Sequence, residues 1–126
     1  MYNRSPIPKP VDKPKKKKQN GYKDKANRYC YYHKEIPSAE RHEVYRGANR
    51  QTSIDHGFQV DLCSECHREM TANITDQAKE RNTYWKEYWQ KVYEDKLIEV
   101  GVKPKQARSL WMILIGRNYS EPLEEE

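Results

Sequence analysis

ERHEVYRGANRQTSIDHGFQVDLCSECHREM, residues 40–70, sets a His-Glu pair at one end and a Cys-x-x-Cys-His at the other, with Gly-Ala-Asn-Arg between them. Residues 41–45 have the character of a short strand, and FQVDL alternates like a second one. Gly47 and Gly57 bound a polar loop, and SECHREMTA reads as a helix capped at its start by Ser64. Upstream, Pro37 and Ser38 mark a turn after CYYH. The expected order is strand, loop, strand, helix, a small α+β unit.

The cysteines sharpen this reading. Cys30 and His33 are separated by two residues, as are Cys63 and Cys66. That spacing lets a tight turn aim both side chains of a pair at one ion, and the four together make a closed Cys3His site for a structural Zn2+. The plain alternative is a buried thiol at Cys30 and a surface histidine at His33. An odd cysteine count in a chain with no apolar leader favours metal over disulfides. His67, directly after Cys66, is then turned away from the zinc ligands, while His42 lies on the earlier strand. Brought together, the two histidines could share a divalent ion with positions open to water and phosphate. The bland counterpart is an accidental pair.

Outward from this window, a long helix is expected over 76–100, with Trp85, Tyr88, Trp89, Val92, Tyr93 and Leu97 on one apolar face and Gly101 as its stop. Pro104 opens a last helix over 104–115, ended by Gly116. The aromatic stripe could stack on bases, but its spacing of three and four is what a core-facing helix needs. The 126 residues, 35% hydrophobic and 34% charged, allow one small domain whose core needs outside help. The longest apolar run is LWMILIG, so neither a membrane span nor a signal peptide is indicated, and a cytoplasmic location is expected.

The net charge of +5 is unevenly spread. Residues 1–28 carry ten Lys or Arg against Asp12 and Asp24, which leaves residues 29–126 net negative. With Lys15, Lys16, Lys17 and Lys18 in a run among prolines, residues 1–28 read as a disordered basic tail. It could be a solubilising leader, a localisation signal, or an arm held to a polyanion by counterion release. The chain thus divides into the tail, residues 29–75 with both candidate sites, and a helical extension over 76–126.

The succession of Cys30-x-x-His33, RHEV, GANR and LCSECH resembles the small phage and prophage HNH endonucleases, over residues 30–73 and more loosely over the helices and IGRNY. The resemblance implies a ββα-metal (His-Me finger) core over a structural zinc, with hydrolysis of DNA phosphodiester bonds in a bacterial host cell by means of one divalent ion such as Mg2+, Mn2+, Ni2+ or Zn2+. His42 matches the first metal-binding position and His67 the histidine on the helix. Asn49 matches the middle asparagine that helps to fix the catalytic loop, though it sits earlier than usual relative to LC. Glu43 stands where a second histidine usually acts as general base. Thr71 lies where many members carry another metal-binding histidine.

Glu43 could accept a proton from water beside a bound cation, or ligate the ion. His56 is a second candidate base. Arg46 and Arg50 fit phosphate contacts, because a guanidinium holds two oxygens at once, or alternatively ion pairs with nearby acids. RNA fits the residues as well as DNA does, since nothing reads bases or a 2′-hydroxyl. The departures at Glu43 and Thr71 keep another class open: a catalytically silent zinc module that binds nucleic acid, or an adaptor in phage DNA packaging or recombination. Oligomeric state and sequence specificity are not legible at this level.

Overall fold

Two short strands and four helices make up residues 25–123, the part of the chain that the computed structural model describes. They are β1 (Glu40–Glu43), α1 (Arg50–His56), β2 (Gln59–Leu62), α2 (Ser64–Ala72), α3 (Asp76–Glu99) and α4 (Pro104–Leu114), with single 3-10 turns at Lys25–Asn27 and Gly47–Asn49. The class is α+β, as expected. The expected tail, including Lys15, Lys16, Lys17 and Lys18, lies outside the described residues except for its last four. Of these, Arg28 is buried and donates from Nη2 to the Ala39 carbonyl at 3.2 Å.

β1 and β2 pair antiparallel, with Glu40 opposite Leu62, Arg41 opposite Asp61, His42 opposite Val60 and Glu43 opposite Gln59. A two-stranded sheet is marginal alone. Here its buried Val60 and Leu62 join Cys66 and Met70 of α2, Trp85 of α3 and Trp111 of α4 in one core. The C-terminal helices thus share a core with the hairpin. Trp111 is fully buried and packs edge-on or tilted against Tyr45, Phe58 and Tyr93, with ring centroids 5.4, 5.8 and 5.5 Å away.

One element departs from the expectation. The polar segment between Gly47 and Gly57 is not a loop but carries α1. Ser53 and Ile54 are buried on its inner side, and Ser53 Oγ accepts the Tyr45 amide at 3.0 Å and donates to the Tyr45 carbonyl at 2.7 Å. These two bonds join the helix to the chain leaving β1. Gly57, at φ +75°, is the left-handed residue that stops the helix. The cap of α2 also moves: the extended residue before the helix is Cys63, while Ser64 is its first helical residue and sets Oγ 3.5 Å from Glu40 Oε2.

α3 matches its expected span to within a residue, with Thr75 Oγ1 accepting the Ala78 amide at 3.0 Å. Trp85 is buried and Trp89 and Tyr93 pack on the core, but Tyr88 remains 40% exposed. The helix also buries Gln90 and Glu94. Among the described residues, no helix is long and apolar enough to cross a membrane.

Candidate metal centre and histidine pair

Cys30 and His33 come from the turn before β1, Cys63 from the residue just before α2 and Cys66 from its first turn. The Cys-x-x-His turn is closed by the His33 amide, which donates to Cys30 Sγ at 3.3 Å. One ligand atom from each of the four residues lies within 4.8 Å of all the others. His33 Nδ1 stands 3.9 Å from Cys30 Sγ, 3.6 Å from Cys63 Sγ and 3.3 Å from Cys66 Sγ. A tetrahedral zinc bound to nitrogen and thiolate sulfur sets its ligand atoms about 3.5–3.8 Å apart, so the cluster fits that ion.

The electrostatics agree with a cationic occupant. Burial works against a thiolate at Cys30, but amide donors from Cys63, His33 and Tyr32 outweigh it and bring that thiol down to about 6. Burial pushes the Cys66 thiol up, and the neighbouring Cys63 and Cys30 push it further. Three thiolates crowded together repel, and a dication is what allows all of them to ionise. Arg81 adds a second positive charge, with Nη1 4.0 Å from Cys66 Sγ and its guanidinium 3.7 Å from the centre of the Tyr32 ring.

The strand register explains what surrounds the histidines. Side chains two apart on a strand share a face, and so do cross-strand partners. Glu40 and His42 therefore lie on the face of Val60 and Leu62, which α2 covers. Arg41, Glu43, Gln59 and Asp61 lie on the other. The His42 and His67 rings meet edge to face, with centroids 5.2 Å apart and planes at 79°.

The carboxylate beside His67 is Glu40, at 2.6 Å from Nδ1. An ionised carboxylate only accepts, so Nδ1 is the donor and Nε2 is the nitrogen left for an ion. The hydrogen bond from His67 is also what holds the Glu40 carboxyl below its usual range. His42 is only 2% exposed, and burial, followed by the charges of His67, Arg46 and Lys86, pushes its imidazole down to about 4. It is therefore neutral at pH 7, the form that binds a metal. The Asn82 side chain of α3 reaches the His42 ring while donating to the Met70 carbonyl and to Asn73 Oδ1, each at 2.9 Å.

The other sequence candidates are distributed around this pair. The Glu43 carboxylate meets Arg50 Nε at 3.6 Å and accepts from Gln59 Nε2 at 3.3 Å. Arg50 thus makes the ion pair that was the plain reading for it. Arg46 donates to the Thr71 carbonyl at 3.1 Å. Asn49 donates to the Ile115 carbonyl at 2.9 Å and ties the turn after β1 to the end of α4. His56 stacks on Phe58 at 5.2 Å and meets Tyr93 edge-on, and these are its ring partners.

Sequence reading missed Glu40 and Asn82. Strand alternation alone pairs Glu40, not Glu43, with His42, and that signal was available. Asn82 gives none, because only the packing of α3 brings it to His42. No protein-family model matches the chain, and no curated protein or solved structure does.

Proposed function

We propose that the chain is a metal-dependent endonuclease of the HNH type, with β1, β2 and α2 as its ββα-metal core, and that it hydrolyses phosphodiester bonds in DNA. The observation that carries this reading is the approach of His42 and His67 across the strand and helix that the Cys3His cluster fastens together. His42 and His67 would hold a divalent ion, and its chemistry there would be to supply positive charge to the oxygens of the scissile phosphate.

The protein groups have separate tasks. Glu40 fixes the tautomer and orientation of His67, and Asn82 orients His42. We assign the general base to Glu43, which follows His42 in the chain; its carboxylate rests on the opposite face of the sheet, held by Arg50 and Gln59, and the assignment requires it to turn around the end of β1 toward the ion when substrate is bound. His56, stacked on Phe58, is the weaker candidate. Arg46, which donates one bond to the Thr71 carbonyl, would hold a phosphate oxygen with its remaining N–H groups. The lysine run at 15–18 adds affinity that is independent of sequence.

The test is nicking and linearisation of supercoiled plasmid with Mg2+, Mn2+, Ni2+ or Zn2+. Cleavage with at least one ion is expected. DNA binding without cleavage under any of them would instead identify a silent zinc module. On the same substrate, Glu43→Gln is expected to lower turnover by about 100-fold or more with little change in DNA binding. Glu40→Gln should mainly raise the ion concentration required, by roughly 10–100-fold. His56→Ala should change little. A larger loss in His56→Ala than in Glu43→Gln would move the base to His56.

A further inference from the structure

The IGRNY segment, residues 115–119, follows α4 and is held in place by four hydrogen bonds. Asn49 donates to the Ile115 carbonyl at 2.9 Å, and Trp111 Nε1 to the Arg117 carbonyl at 2.8 Å. The fully buried Gln90 donates to Asn118 Oδ1 at 2.8 Å and accepts the Tyr119 amide at 2.7 Å. This fixed path presents the Tyr119 ring to Tyr45, with centroids 5.7 Å apart. Two cations flank the same ring: Lys86 Nζ is 5.6 Å from its centre and the Arg117 guanidinium 5.5 Å. Arg46, next to Tyr45 in the chain, is close enough to Lys86 for its charge to act on that ammonium.

Not every cation in the fold is balanced by a carboxylate. Arg41, Arg50, Lys91 and Arg108 each face a carboxylate. Among the described residues Arg46, Lys86 and Arg117 make no ion pair, and the one hydrogen bond from a charged group of the three is that of Arg46 to the Thr71 carbonyl. Lys86 is half-buried; burial, then the charges of Arg46 and Arg117, hold its ammonium below the usual lysine range. Arg46 and Lys86 also act on His42. Like charges gathered without counter-charges destabilise the protein that holds them, and a bound polyanion removes that penalty. Two guanidiniums that can each grip two oxygens, together with an ammonium, suit a row of singly charged phosphates.

We propose that Lys86 and Arg117, which flank Tyr119, form with the nearby Arg46 a cradle for the backbone phosphates that flank the one at the histidine pair. The C-terminal segment is then part of the nucleic-acid surface. The inference rests on the nucleic-acid reading above but does not require cleavage.

The experiment measures binding of the zinc-loaded full chain to a short fluorescein-labelled DNA duplex, by anisotropy across a salt series without added divalent ion. An RNA duplex of the same sequence is the second arm and decides which nucleic acid supplies the phosphates. The variant with both Lys86→Gln and Arg117→Gln is expected to bind more weakly and to lose about 1.8 from the slope of log K against log salt, about 0.9 for each charge. The variant with Lys86→Arg and Arg117→Lys keeps both charges and should keep the wild-type slope. If the glutamine pair does not retain zinc, Arg117→Gln alone, on an exposed side chain, should lose about 0.9.

An unchanged slope in the glutamine variant overturns the cradle, as does an equal loss in the charge-preserving one or wild-type protein that binds neither duplex. Plasmid cleavage by the same wild-type preparation separates the two ideas. Cleavage with an unmoved slope sinks the cradle and leaves the nuclease. A reduced slope with no cleavage by the wild type does the reverse.

Discussion

Cys66→Ser is expected to yield a chain that neither retains zinc nor folds, whereas the wild type holds about one zinc per chain. Cys66 is 3% exposed, and its sulfur is one corner of the four-ligand cluster. Binding at a structural zinc site contributes roughly 10–16 kcal/mol, which is folding free energy when the site does not exist in the unfolded chain. A small domain has a net stability of only about 5–15 kcal/mol. The sheet beside the cluster has just two strands. Losing one thiolate should therefore remove most or all of the margin. Elemental analysis and circular dichroism check this directly, and a zinc-free protein that melts at the wild-type temperature would refute the scaffold role.

His67→Ala should behave in the opposite way. The His67 side chain is 31% exposed and its bond is to Glu40, itself 38% exposed, so the fold and the zinc content should survive. Plasmid cleavage should fall by more than about 100-fold, because on the proposed reading a direct ligand to the ion would be lost, and even outer partners of such ligands are worth 10–100-fold. The two substitutions are adjacent in sequence yet should separate cleanly, one removing structure and the other removing only chemistry. Cleavage at the wild-type rate in His67→Ala, with normal zinc content, would exclude the histidine pair as the reacting centre.

The parts of this arrangement that could be read in advance are those set by local chain geometry. A spacing of two between ligands is enough to foresee that Cys30, His33, Cys63 and Cys66 converge, and the three-and-four spacing from Trp85 to Leu97 suffices for α3. α1 was misread because its residues are polar and its stop, Gly57, looks like a loop boundary; only the clasp between Ser53 and Tyr45 distinguishes the two. Lys86, Asn82 and Gln90 could not be assigned at all. Each sits on a helix whose pattern says only that it has an inner face, and what that face meets depends on how α3 lies across α2 and the C-terminal segment.

The Cys3His cluster has a topological consequence. Its two ligand pairs lie on either side of β1, α1 and β2, and Cys63 follows His33 by 30 positions. A metal cross-link there closes a loop, and by chain-entropy arguments closing one of this length is worth roughly 3–4 kcal/mol. His42 lies inside the loop, and His67 lies just outside it, directly after the ligand Cys66. Opening the loop therefore releases one member of the pair from the other. A chelator should then inhibit in two kinetically distinct ways: a fast phase reversed by adding back a weakly held ion, and a slow phase reversed only by zinc together with refolding.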